Sequence, residues 1–173
     1  MNVSNLMWFI LQVELLLVKV RDPALFLTFV QSRKMAKDLI HKAVRDAQEK
    51  DGWVVTKDPL TIDLPDDDTY FDIDLLAEKA IYGNQPMRIA AIEIKSFTGL
   101  SVLHSFHEAL GQFLNYRAAL DEKGLDLELY LAVSLEGWER LNALNFVQRR
   151  TRQFNLKFIL TDIHTKTIVE WIR

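Results

Sequence analysis

The stretch LELYLAVS, residues 127–134, limits the fold more than any other feature of this sequence. From Leu129 to Val133 it holds no charge, and apolar residues occupy both alternating sets of positions. A strand with one wet face alternates, whereas one buried on both faces reads as a continuous apolar run. This strand therefore belongs in the middle of a sheet covered on both sides. The run MRIAAIEIKSF, residues 87–97, is as apolar, yet it admits Glu93 and Lys95. Side chains alternate across a strand, so these two share one face while Ile92 and Ile94 share the other. An acid and a base there are either a satisfied ion pair or chemistry. The pair is expensive to desolvate, and packed apolar residues would serve stability as well or better. Chemistry is therefore the preferred reading, although a lone E-x-K triplet is common.

The remaining pattern supplies neighbours for these strands. Ile40, Ala43, Val44 and Ala47 make a helical stripe within a helix expected at about 36–50, which Gly52 stops. Trp53–Thr56 reads as a short strand, KDPLTIDLPDDDT as a loop, YFDIDLLAEKAI as one strand of about eight residues, and YGNQP as a turn. Ser101 can cap a long helix over about 102–122, ended by Gly124. A helix over about 136–153 follows, then two strands, LKFILTDI and TIVEWIR, around a turn at His164–Lys166. The order α-β-β-β-α-β-α-β-β implies an α/β fold: a mixed sheet flanked by helices on both faces.

Composition narrows the function classes. The chain has 173 residues, no cysteine and a net charge of −3. No cysteine means no disulfide scaffold and no thiolate metal site, which suits the cytoplasm. The four histidines are too scattered for a zinc site. Residues 1–34 carry a charge of +2, leaving −5 on residues 35–173. Such a chain does not hold nucleic acid by bulk electrostatics; a local basic patch or a partner must do so. The best patch is RRTR, residues 149–152, which reads first as a solvated helix face and second as a phosphate contact. Residues 1–34 are very apolar, but Gln12, Glu14, Lys19, Arg21, Asp22 and Pro23 interrupt them, which argues against a membrane helix. Met35 opens the clean helical pattern. The reading is that Met35 is the natural start, that 1–34 reflects an upstream start codon, and that 35–173 is the domain. The rival is an amphipathic N-terminal segment that packs on the domain or on a partner.

If strands 70–78 and 88–96 pair with their polar faces matched, Asp72, Asp74, Glu93 and Lys95 converge. Carboxylates so grouped suit Mg²⁺, a hard cation usually held by one or two carboxylates with substrate phosphate and water. A metal held there neutralises charge on a phosphodiester transition state, and Lys95 would steady the same charge. Pairing register decides this, since a one-residue slip sends the acids to opposite faces.

The element order with Asp74, then Glu93-x-Lys95, resembles the PD-(D/E)XK nuclease superfamily, the restriction-endonuclease-like fold with an α-β-β-β-α-β core. Ile73, where that pattern has proline, is a departure. The resemblance implies that Asp74 and Glu93 hold Mg²⁺ or Mn²⁺ and that Lys95 is catalytic, with Asp72 an auxiliary ligand. GQFLNY places Gln112 and Tyr116 at i, i+4 on one helix face. This looks like the Q-x-x-x-Y element of the RecB-like branch, whose residues shape the site; a half-buried core tyrosine is the plain alternative for Tyr116. His41, on the first helix, could lend a polar group to the site, or could be a surface histidine. The segments KDLIHKAVRDAQEKDGWVVTKDPLTI, DLLAEKAI, IAAIEIKSF, FHEALGQFLNY and LYLAVS together resemble the XisH family, the fdxN element excision controlling factors of cyanobacteria, from Met35 to about Arg173. That resemblance implies action on DNA in programmed element excision, with a partner called XisI and a separate recombinase. It leaves open whether the chain cleaves DNA or is a catalytically silent regulatory module.

Overall fold

The computed structural model describes residues 23–64, 68–80, 87–99 and 101–173, with side chains from Met35 onward except that of Ala36. The chain divides into Met1–Leu39 and Ile40–Arg173. The first 22 residues and the turn expected at YGNQP lie outside the described residues.

Helix α1 runs from Pro23 to Lys50, starting well before the expected residue 36. Proline is at home in a first helical turn, and no glycine or second proline interrupts the next 27 residues. From Ile40 on, the expected stripe is buried: Val44 and Ala47 are fully shielded and Ala43 nearly so.

Strands β1 (Val54–Lys57), β4 (Leu75–Lys79), β5 (Arg88–Lys95), β6 (Glu128–Ser134), β7 (Phe158–Asp162) and β8 (Thr167–Ile172) form one sheet in the order β1-β4-β5-β6-β7-β8. The β5–β6 and β6–β7 pairs are parallel and the others antiparallel, so the sheet is mixed, as expected. β6 is central and buried from Leu129 to Ser134.

Helix α2 (Val102–Glu122) carries the chain from β5 to β6. Ser101 caps it, its Oγ accepting the His104 N–H at 3.2 Å. Helices α3 (Leu135–Asn142) and α4 (Asn145–Phe154) stand where one helix was expected. The helices α2, α3 and α4 cover one sheet face, over Leu129, Leu131 and Val133. On the other face Val44 of α1 packs with Ile92, Ile94, Tyr130 and Ala132.

Two expectations fail around residue 70. KDPLTIDLPDDDT is not all loop, because Leu60–Leu64 forms β2, and it pairs with β3 (Thr69–Ile73) as a separate two-stranded sheet. The single strand expected over 70–78 is β3 and β4, broken by a bend at Asp74 and divided between the two sheets. Ile62 and Ile73 of the hairpin join the core under α2. LTIDL alternates apolar and polar residues over a short span, and the flanking Asp and Pro conceal that alternation in the sequence.

Candidate functional site

Strand β5 sets the site. Ala90, Ile92 and Ile94 enter the core on the α1 side, so Glu93 and Lys95 point to the α2 side. The pairing Leu75↔Ile92 is the last of the β4–β5 ladder, and Asp74 follows at its open end. There the Asp74 carboxylate takes the place of a ladder carbonyl, its Oδ2 accepting the Ile94 N–H at 2.8 Å. The break in the strand is what frees Asp74 to turn toward β5.

Glu93 is only 5% exposed. Its Oε1 accepts from Lys95 Nζ at 2.7 Å, while Lys95 keeps some contact with solvent. Burial, and then the charge of Asp74, push the Glu93 carboxyl above its ordinary range; Lys95 pulls the other way. Two carboxylates and one ammonium thus share a partly dry site.

Tyr116 is buried, its ring meeting Phe71 edge-on with centroids 5.6 Å apart. Burial, then the charges of Glu93, Asp74 and Asp72, push its phenol up to about 12. At neutral pH it keeps its proton, available as a donor within reach of the charges of these three acids. Asp72 stands on the hairpin, exposed, where its Oδ1 accepts the Thr61 hydroxyl at 2.7 Å. Gln112 and Lys95 line one pocket of about 580 Å³, with Ser96, Phe97, His107 and Asn115. The Gln112 Oε1 is shut from solvent without a hydrogen-bond donor.

The structure therefore brings Asp74, Glu93, Lys95 and Tyr116 together, reaches Gln112 through the pocket, and holds Asp72 at the rim. It does not bring in His41, whose Nε2 lies 3.1 Å from Asp58 Oδ1, on a helix that packs on the opposite sheet face. Asp58 also receives Arg45 Nη1 at 2.7 Å, so His41 belongs to a separate surface cluster.

Other residues of the site escaped the sequence reading. Arg140 of α3 donates to the carbonyls of Phe97 at 2.9 Å and Gly99 at 2.8 Å, clamping the segment that follows β5. Phe97 there takes the left-handed conformation, with φ +51°. A Cβ on Gly137 would lie 2.3 Å from the Ser96 carbonyl oxygen, so only glycine lets α3 approach the end of β5 so closely. Nothing local marks a pairing across some 40 residues. His107 and Asn115 had a signal, since with Gly111 they stand at i, i+4 and i+8 on one helix face, beside Gln112.

Among the described residues, no group of three or more His, Asp or Glu side chains is arranged to hold a metal ion. Asp74 and Glu93 do suit a divalent cation as a two-carboxylate donor set, because their mutual repulsion is what a cation between them would relieve. No described helix is long and apolar enough to cross a membrane.

The model of a family described as "XisH protein" matches residues 34–169. Two crystal structures are similar to this chain. An XisH family protein from Nostoc punctiforme is 35% identical, with 78% of this chain and 99% of that chain covered and a TM-score of 0.66. An fdxN element excision controlling factor protein from Anabaena variabilis is 34% identical, with 79% and 99% covered and a TM-score of 0.67. No curated protein matches.

Proposed function

This chain belongs to the XisH family, and from that premise we propose that it is an fdxN-type excision controlling factor acting on DNA as a Mg²⁺- or Mn²⁺-dependent phosphodiesterase. The fold so proposed is the restriction-endonuclease-like, PD-(D/E)XK core. The observation that carries the reading is the buried Glu93, held between the Asp74 charge and the Lys95 ammonium on a strand otherwise built from apolar residues. Asp74 and Glu93 would hold the cation in this reading, as one or two carboxylates usually do for Mg²⁺. The bound cation supplies positive charge at the phosphoryl oxygens. Lys95, already oriented by Glu93, places its ammonium where charge develops on the phosphorus oxygens. Tyr116 donates a hydrogen bond, and Gln112 lines the wall that receives the nucleotide beside the scissile phosphate.

A second reading has its own support. The net charge of −3 is poor for a free nuclease, which suits a silent module that docks an XisI-like partner and controls a recombinase. Calorimetric titration of Mg²⁺ and Mn²⁺ into the full chain, beside Glu93→Ala, separates the two. The expected result is binding by the natural chain that the variant abolishes, with nicking of DNA that Lys95→Ala removes. A chain that takes neither ion and nicks no form of DNA returns the function to docking.

A further inference from the structure

The RRTR segment has a geometry that the reading above leaves unused. In α4, Val147 is buried, while Phe146, Arg149 and Arg150 stand at i, i+3, i+4 on one face. Phe146 leaves 40% of its surface exposed, a large ring kept in water. The Arg150 guanidinium lies 5.1 Å over that ring, and its Nε is shut from solvent with no acceptor. On its other flank, Phe146 meets the His107 ring edge-on at 6.4 Å. His107 in turn lines the pocket that holds Lys95 and Gln112. Guanidinium, phenyl and imidazole thus run in sequence from α4 to the mouth of the pocket.

Charge gives the same direction. Lys42, Arg45, Lys79, Lys95, Lys157 and Lys166 all find carboxylates. Arg149, Arg150 and Arg152 form no ion pair among the described residues, on a chain with more acids than bases. Arg149 and Arg150, adjacent and on the Phe146 face without a carboxylate, complement a polyanion; Arg150 donates only to the neutral Gln153 amide. Aromatic rings set among cations are how single strands are held, because every unpaired base offers a face to stack. A duplex keeps its bases paired and cannot use Phe146 this way.

We infer that the Phe146–Arg149–Arg150 face of α4 is a binding track for an unpaired nucleic-acid strand, leading past His107 into the Lys95 pocket. The inference rests on the reading that the chain acts on nucleic acid, and it adds that the strand is single there.

Fluorescence anisotropy on the full chain tests this, with a labelled oligodeoxythymidine of about 20 nucleotides and the matching duplex. The buffer contains EDTA, so that neither metal nor cleavage takes part. Tighter binding of the single strand is expected, weakened about tenfold by Phe146→Ala through lost stacking. Arg149→Glu, at an exposed position that leaves packing intact, should weaken it further and flatten its salt dependence. Oligouridine bound alongside oligodeoxythymidine would support the same stacking-and-phosphate chemistry. Equal or tighter binding of duplex, or two folded variants that bind as the natural chain does, would overturn the track. Strand binding in EDTA by a chain that takes no metal keeps the track and removes the phosphodiesterase; metal uptake without strand binding does the reverse.

Discussion

Strands β5 and β6 lie side by side, parallel and in register, with Glu93 opposite Leu131 and Lys95 opposite Val133. All four side chains face the helices α2 to α4. Leu131 and Val133 are fully buried and Glu93 nearly so. On this face, Leu129, Leu131 and Val133 of β6 show what the sheet uses when packing is the sole demand: branched aliphatic side chains with no polar atom. β5 puts an acid and a base in the equivalent places and sets a second acid, Asp74, against the first. The cost is visible in the Glu93 carboxyl, which burial and Asp74 hold above its ordinary range. One strand follows the rules of a core, and its neighbour breaks them at two positions that converge with a tyrosine and a pocket.

The sharpest way to break the comparison is Lys95→Ala. It leaves the Glu93 carboxylate in a dry site beside Asp74 with no counter-charge. The expected loss is about 3–5 kcal/mol, as for removing one partner of a buried pair, read from urea unfolding. A loss near zero would mean that water already screens Glu93, and the contrast with β6 would dissolve.

Writing β6 into β5 is the next test, as the double variant Glu93→Leu, Lys95→Val. Stability unchanged or raised by about 1–4 kcal/mol is expected, since apolar replacements of buried ion pairs often do this. The metal titration should fall flat at the same time. A stable, metal-free protein of this kind would separate what the pair does for the fold from what it does for chemistry, and a strongly destabilised one would make the pair structural.

The smallest effect is in the pH dependence. With its carboxyl raised in the folded state, Glu93 binds its proton more tightly folded than unfolded. Its contribution to stability is therefore complete below the ordinary glutamate range and is lost as pH rises through the raised folded value. Asp74→Asn removes a cause of the shift while keeping an oxygen for the Ile94 N–H. Melting temperatures from pH 4 to 8 should then fall less steeply with rising pH than in the natural chain. Superimposable curves would show that burial alone holds the Glu93 carboxyl up.

How far the sequence reaches can be seen at particular residues. The stripe Ala43, Val44, Ala47, the Ser101 cap and the apolar run of β6 are all legible and all correct, because each follows a spacing of a few residues. Glu93 and Lys95 were legible as candidates from alternation in an apolar strand, and Asp74 from the D-x-D before that strand and from the family resemblance. The geometry that unites them was not. It depends on a bend after Ile73 that moves β3 into another sheet with β2, and alternating strand residues do not reveal where a strand changes partner. His41 was a candidate by fold analogy alone, and its helix lies across the sheet from Glu93. The single helix expected over 136–153 turns between Asn142 and Asn145, where neither glycine nor proline gives notice.

By itself, the sequence determined the local elements and the acid–base anomaly in β5, since helical stripes, caps and strand alternation are short-range physics written in neighbouring residues. The tertiary structure alone decided that Asp74 caps the Ile94 N–H, that Arg140 and Gly137 hold the segment after Lys95, and that Phe146 and His107 lead from the arginines to the pocket. Those contacts join residues 20 to 43 or so positions apart. Their geometry comes from close packing of sheet, hairpin and helices, and no periodicity in the chain encodes it.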